Sequence, residues 1–183
     1  MKLETEVKIA VKDPQGMRKR LKAAGAVHAR TARQYDGIFD FPDGKLKKHG
    51  EVMRLRVFEP VWPDGEKKAI VTFKGKKREK GIAKVREETE FETDDIGGAL
   101  LALHELGLEK KLEYLKVTEF YRLGKVKITL DHFPHYHELG YFIELEANKP
   151  EIEKGMKRLE LSAKDVVHET YPEIVSRVYS HRT

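Results

Sequence analysis

Glu4 and Glu6 stand two residues apart and Lys8 follows at the same step, within the run Lys2-Leu3-Glu4-Thr5-Glu6-Val7-Lys8-Ile9-Ala10-Val11. In an extended strand this spacing turns all three side chains to one face. Two carboxylates one pleat apart, beside an ammonium, can share a divalent cation that itself carries phosphate, because hard cations take oxygen ligands. Leu3, Val7, Ile9 and Val11 occupy the other face, which is built for burial. Taken alone, the segment also fits the commoner case of a sheet with one face in water. Recurrence along the chain separates the two readings.

Charged alternation does recur. Arg54 and Arg56 share a face of strand 52–58, and Thr72 and Lys74 share a face of strand 69–74. Arg86, Glu88, Glu90 and Glu92 line one side of strand 84–92. Lys125, Lys127, Thr129 and Asp131 line one side of strand 125–131, and strand 141–146 presents Glu144 and Glu146 one pleat apart, as in the opening segment. A solvated outer face would mix Thr, Ser and Gln with its charges and would have no reason to segregate acidic from basic pairs by strand. Closing the sheet into a barrel turns these faces inward and removes its edges. A cavity so lined cannot be dry, since buried charge is tolerated only when paired, hydrated or neutralised by ligand and metal.

The elements that must carry these residues are legible between them. Two further strands are expected at 33–41, where Gln34, Asp36, Ile38 and Asp40 alternate with Tyr35, Gly37, Phe39 and Phe41, and at 112–123. Asp13-Pro14 reads as an N-cap and first helical residue, with Met17, Leu21 and Ala24 at helical spacing before Gly25. Thr93-Asp94-Asp95 caps a second helix whose buried stripe is read as Ile96, Leu100, Leu103 and Leu106 or Leu101, ending at Gly107. Helices are expected at 148–161 and 172–179, with a capped turn at Ser162. The stretch before Val52 is read as a basic loop, and Gly75 to Gly81 as a solvated loop.

Composition bounds the rest. With 183 residues the chain reads as one domain able to bury a core, and its net charge of +5 is too small to point to nucleic acid. The absence of Cys excludes disulfides, thiolate metal sites and cysteine nucleophiles. No apolar run reaches membrane-spanning length and the first strand is too charged for a signal peptide, so a cytoplasmic setting without membrane attachment is expected. No Walker-type loop is present, since Gly75-Lys76-Lys77 lacks the upstream glycine spacing.

Glu4-Thr5-Glu6-Val7-Lys8 resembles the ExExK signature of the CYTH superfamily, the triphosphate tunnel metalloenzymes. The resemblance continues in order through Gln34-Tyr35-Asp36-Gly37-Ile38-Phe39, Gly50-Glu51-Val52-Met53-Arg54-Leu55-Arg56, Val71-Thr72-Phe73-Lys74-Gly75, Arg86-Glu87-Glu88-Thr89-Glu90, Leu130-Asp131 and Leu139-Gly140-Tyr141-Phe142-Ile143-Glu144-Leu145-Glu146. Each motif is weak alone; their correct order is specific. The pattern is most similar to the class IV adenylyl cyclase branch, with thiamine triphosphatases more distant.

The resemblance implies an α+β fold in which a closed antiparallel eight-stranded β-barrel is flanked by helices, with residues 1–183 forming a single CYTH domain. It also implies a divalent cofactor, Mg²⁺ or Mn²⁺, held by Glu4, Glu6, Glu144 and Glu146 together with Asp131. Lys8, Arg54, Arg56, Lys74, Arg86 and Lys116 would grip phosphate; Glu4, Glu6, Lys8 and Glu146 are the implied catalytic residues, and Glu88 and Glu90 would orient the cations. The substrate would be ATP, cyclised to cyclic AMP and pyrophosphate, or inorganic or thiamine triphosphate. A non-catalytic nucleotide- or polyphosphate-binding module is the rival. A homodimer is an expectation, and nucleic acid is not expected as a partner. Two departures stand out. Thr118 replaces an Arg expected two residues after Lys116, leaving Arg122 or Lys127 to supply that contact, and the long connection after Asp131 holds His132, His135 and His137, of which the last two have the spacing of a metal-ligand pair.

Overall fold

The alternating segments pair into one antiparallel sheet in the computed structural model, which describes residues 2–179. In chain order its strands are β1 (Lys2–Val11), β2 (Val27–Asp40), β3 (Val52–Trp62), β4 (Lys68–Lys74), β5 (Arg78–Lys80), β6 (Ala83–Thr93), β7 (Glu109–Leu123), β8 (Val126–His132) and β9 (Tyr141–Glu146). The spatial order β1-β9-β8-β7-β2-β3-β4-β6 returns to β1 through pairing of Leu3 with Glu87 and of Glu6 with Lys84, so eight strands close a barrel. The short β5 adds to β6 beyond the end of β4.

Among the described residues five helices flank this barrel: α1 (Pro14–Ala23), α2 (Lys45–His49), α3 (Ile96–Glu105), α4 (Lys149–Arg158) and α5 (Tyr171–Tyr179). Their starts are encoded locally. Asp13, Asp95 and Asn148 each accept a hydrogen bond from a backbone N–H of the first turn, and proline follows in α1 and α4.

Most of the apolar core lies between the barrel wall and the helices, while Tyr114 and Phe142 turn inward, on the strand faces that carry Lys116 and Glu144, and meet α5. Val7, Ile9, Ile128, Leu130, Ile143 and Leu145 point outward from β1, β8 and β9 and meet Met17 and Leu21 of α1 and Ile152, Met156 and Leu159 of α4. Full burial of each such side chain is worth roughly 1.5–3 kcal/mol, so alternation alone fixes which strand face turns in. Gly155 allows α4 this close, since a Cβ there would lie 3.1 Å from Leu145. A second cluster joins Leu55, Ala69 and Val71 to Leu46 of α2 and Leu103 of α3, and a third joins Tyr114, Phe133 and Phe142 to Ile174 and Val175 of α5.

Four local expectations need correction. Leu3 is 64% exposed rather than buried, because the helices that cover the outer wall reach only from Val7 onward. In α3 only Leu103 of the predicted stripe is buried; Leu100, Leu101 and Leu106 are exposed, and Ile96 and Ala99 complete the contact. The stretch read as a basic loop contains α2, whose N-terminal N–H groups at Leu46 and Lys47 are bound by the Asp40 carboxylate, a cap from six or seven residues upstream that local spacing does not reveal. The stretch read as a solvated loop between Gly75 and Gly81 contains β5.

Candidate active site

Because outward faces are apolar, every second residue of each barrel strand turns into the interior, and there the charged alternation converges. The cavity inside the barrel, of about 550 Å³ and open to solvent, is lined by Glu4, Glu6 and Lys8 of β1, Arg54 and Arg56 of β3, Lys74 of β4, Arg86, Glu88 and Glu90 of β6, Lys116 of β7, and Glu144 and Glu146 of β9. Strand register sets acid against base around the wall. Lys8 lies opposite Glu144, Glu4 opposite Arg86, Lys74 opposite Glu88, and Asp36 opposite Arg56. One pairing breaks the rule, since Glu6 lies directly opposite Glu146.

The cations differ in how they are held. Arg56 makes a two-pronged bond to Asp36, at 2.5 and 2.7 Å. Burial opposes ionisation of Asp36, but Arg56 outweighs it and holds the carboxyl well below its usual range. Lys74 is gripped by Glu88 and lies 3.3 Å from Glu4. Arg86 donates to the backbone carbonyls of Gly75 and Gly50. Gly50 closes α2 with a φ of 74°, a left-handed conformation suited to glycine, and so aims that carbonyl at the guanidinium. Arg54 donates to Thr72 at 3.1 Å, while its Nε is buried without a hydrogen-bond partner. An orphaned guanidinium nitrogen is costly unless an anion arrives to accept from it.

The carboxylates are strained in the complementary sense. Burial and the neighbouring Glu6 push Glu144 up to about 7. Burial and contact with Glu88 raise Glu4 as well; burial also works against Glu88, yet Glu4 and Lys74 bring it below the usual value. Glu146 accepts from Lys127 at 2.7 Å. Among the described residues no group of three or more His, Cys, Asp or Glu side chains is arranged to hold a metal ion. The donor set nevertheless fits Mg²⁺ or Mn²⁺, which bind through one or two carboxylates and take their remaining oxygens from water and phosphate. Like-charged Glu6 and Glu146 face to face, with the raised Glu144 beside them, supply that hard-oxygen pair.

Asp131 sits differently from the other carboxylates. It is fully buried behind the cavity wall and accepts from Lys116 at 3.1 Å, Thr129 at 3.0 Å and Tyr171 at 2.7 Å, and from Thr118. Its oxygens are thus engaged by four protein donors, which suits an anchor for Lys116 and Tyr171 better than a metal ligand. Thr118, where an Arg was expected, belongs to this buried network with its hydroxyl oxygen 3.3 Å from Gln34 Oε1, while Arg122 and Lys127 both line the cavity. His132 stacks on Tyr141 with ring centres 4.9 Å apart, and His135 borders a separate groove on the outer wall.

Several residues of the site escaped the sequence reading. Lys84, at the start of β6, is buried in the wall, and its burial and the nearby Lys8 lower its ammonium to about 8. Lys8 and Lys84 both donate to the backbone carbonyl of Glu169, at 3.1 and 3.0 Å. The segment before α5 reaches that position because Val167 donates to Lys8 O, extending the edge that β6 leaves open. Tyr171 then enters the cavity beneath Lys8, whose ammonium lies 3.6 Å from the ring centre, with Lys116 at 4.7 Å. Asp36 was legible as an inward residue of β2, but its pairing with Arg56 depends on register, which no local signal states.

Comparison with known proteins follows the same lines. A search of curated protein sequences gives no match. Among solved structures, the PH1819 protein of Pyrococcus horikoshii OT3 is 24% identical, with a TM-score of 0.80 over 96% of this chain and 99% of that one. A protein of Vibrio parahaemolyticus titled as a candidate adenylate cyclase is 21% identical, with a TM-score of 0.75 over 96% and 98% of the two chains. HpAC1 of Hippeastrum, titled as a candidate adenylyl cyclase with a dominant triphosphatase activity, is 21% identical, with a TM-score of 0.65 over 86% and 88%. At these identities the likeness is one of fold. The CYTH domain family model matches residues 2–171, almost the whole chain, and the protein therefore belongs to the CYTH domain family.

Proposed function

We propose that this protein is a divalent-metal-dependent enzyme acting on triphosphates, with ATP converted to cyclic AMP and pyrophosphate as its leading activity. The observation that carries the reading is the barrel cavity in which cations from five strands face a carboxylate pair, with a guanidinium nitrogen of Arg54 buried and unsatisfied. Arg54, Arg56, Lys74, Arg86, Lys116 and Lys8 grip the phosphates, guanidinium groups offering forked donors and lysines point charges. Glu6 and Glu146, with Glu144 and Glu4 nearby, hold Mg²⁺ or Mn²⁺, which when bound offsets phosphate charge and orients the chain of phosphates. Asp131 takes the role of positioning Lys116.

In the cyclase reaction the ribose 3′ hydroxyl oxygen forms a bond to the α-phosphorus, the bond from that phosphorus to the bridging oxygen of the β-phosphate breaks, and pyrophosphate leaves. The hydroxyl proton passes to a carboxylate of the Glu6 and Glu146 pair. The cation ring offsets charge that accumulates on the leaving oxygen, in a site where water is restricted. A second reading, hydrolysis of the terminal phosphate, is favoured by the triphosphatase activity named for the Hippeastrum relative. Both reactions use the same grip and differ in the nucleophile.

Product analysis distinguishes them. ATP, thiamine triphosphate and tripolyphosphate are each incubated with the protein and Mg²⁺ or Mn²⁺. Cyclic AMP with equimolar pyrophosphate is the expected result; orthophosphate without cyclic AMP selects the triphosphatase, and no product from any substrate removes the enzyme reading.

A further inference from the structure

Three lysines that line the cavity direct their ammonium groups at neutral oxygens of one short segment. Lys8 and Lys84 both donate to the backbone carbonyl of Glu169, at 3.1 and 3.0 Å, and Lys77 donates to that of His168 at 3.2 Å. Lys8 is 2% and Lys84 3% exposed, so two like charges are buried around a single carbonyl oxygen. That oxygen offers them a dipole without a compensating charge. A phosphate oxygen offers both, and at so buried a point the difference favours the anion.

The segment is pinned on either side of the shared carbonyl. Val167 donates to Lys8 O at 2.8 Å, and the Tyr171 hydroxyl donates to Asp131 at 2.7 Å. Between these pins, the peptide joining Glu169 to Thr170 is held by both of its polar groups, its carbonyl by the two lysines and its N–H by the Glu173 carboxylate at 2.5 Å. Thr170-Tyr171-Pro172-Glu173 is a capping box, in which the Thr170 hydroxyl also meets Glu173 at 2.8 Å. The first turn of α5 thereby sets which way the Glu169 carbonyl points. Because a peptide unit is planar, with N–H and C=O on opposite sides, turning it withdraws both groups from their partners at once.

We propose that the 169–170 peptide is a latch: its carbonyl holds the place of a phosphate oxygen between Lys8 and Lys84 until a triphosphate arrives, then turns away and frees the Thr170 N–H from Glu173. The proposal rests on the triphosphate reading given above. It adds an internal competitor for the anion, so that the start of α5 responds to occupancy of the barrel, and the apparent affinity is lowered by the fraction of molecules that are latched.

Amide hydrogen exchange of the full chain, followed by NMR in Mg²⁺ buffer, tests it with diimidotriphosphate, a tripolyphosphate whose bridging NH groups resist hydrolysis; calorimetry on the same samples measures binding. The Thr170 amide should exchange at least about tenfold faster in the complex, while the Val167 amide keeps its rate. Glu173→Gln and Glu173→Ala separate the latch from simple charge, since both remove one negative charge but only Gln keeps an acceptor for the Thr170 N–H. The Ala variant should bind the probe about three- to tenfold tighter than the Gln variant, because a hydrogen bond that holds the latched form is gone. A helix cap with a purely structural role would move melting temperatures and leave these two affinities equal. Equal affinities, or a Thr170 amide that exchanges no faster in the complex, overturn the latch and leave the triphosphate reading intact. Failure of the probe to bind wild type overturns the triphosphate reading and the latch with it.

Discussion

Glu6 and Glu146 face each other across the β1–β9 ladder, one carboxylate directly opposite another, in a cavity where the other facing charges are paired by sign. Like charges so placed destabilise a sheet unless a cation joins them. Glu6→Gln should therefore raise the melting temperature of the metal-free protein by a few degrees, about 1 kcal/mol or less, Glu146→Gln, which also breaks the Lys127 ion pair, should leave it near wild type, and each should lower metal-dependent turnover by at least about a hundredfold. Melting curves with and without Mg²⁺, beside initial rates, check both halves. A variant that melts lower and keeps its rate contradicts the assignment.

Glu144 gives a pH dependence of defined sign. Its carboxyl is raised from 4.5 to about 7 in the folded protein, so the fold favours the protonated form. The stability this group contributes is fully present below about pH 4.5 and is lost as pH rises through about 7. The metal-free protein should thus lose stability between about pH 4.5 and 7, and Glu144→Gln should flatten that slope. Urea unfolding across this range measures it. The stabilisation conferred by Mg²⁺ should also be larger at pH 8 than at pH 6, because protons compete with the cation for this region.

Asp36 and Arg56 form a buried pair whose disruption leaves an uncompensated charge. The Asp36 carboxylate is fully buried and the guanidinium 14% exposed. Asp36→Asn should cost about 3–5 kcal/mol in unfolding free energy, whereas an exposed pair such as Lys149 and Glu153 should cost less than about 1 kcal/mol when broken. Denaturant titrations of the two variants make the comparison. Equal effects would show that the cavity wall is as solvated as the outer surface.

Tyr171 anchors the segment before α5 through its hydroxyl on Asp131 and its ring beneath Lys8. Tyr171→Phe keeps the ring and should cost about 2 kcal/mol through the lost charge-assisted bond. Tyr171→Ala removes both and should cost at least twice as much. Unfolding free energies of the pair separate ring from hydroxyl; a Phe variant as stable as wild type would show that Asp131 is satisfied without it.

The barrel and its inward charges were readable because period-two alternation states which face is apolar, least cleanly in strand 84–92, while strand 112–123 was read from its aromatic residues and the tight turn that follows. What sequence alone could not give was register. The Arg56 and Asp36 pair, the Glu6 and Glu146 opposition, and the Lys84 contact with Glu169 each join residues that are distant in sequence. Asp131 illustrates the same limit, since alternation places it on the polar face of β8 while only packing shows its oxygens taken by Thr118, Thr129, Lys116 and Tyr171. The α3 stripe failed for a different reason. A leucine-rich helix offers several possible faces, and the one that meets β3 and β4 carries Ile96, Ala99 and Leu103 and leaves Leu100, Leu101 and Leu106 outside.

The central claim is that a triphosphate enters the barrel and satisfies the guanidinium nitrogen left open on Arg54. Calorimetric titration of Mg²⁺ and ATP into wild type and Arg54→Ala tests this most directly. The account predicts saturable one-to-one binding by wild type and a loss of at least about tenfold in the variant, the expected effect of removing a charge-assisted contact. Wild-type binding with the same affinity as Arg54→Ala, or no binding by either, would contradict it.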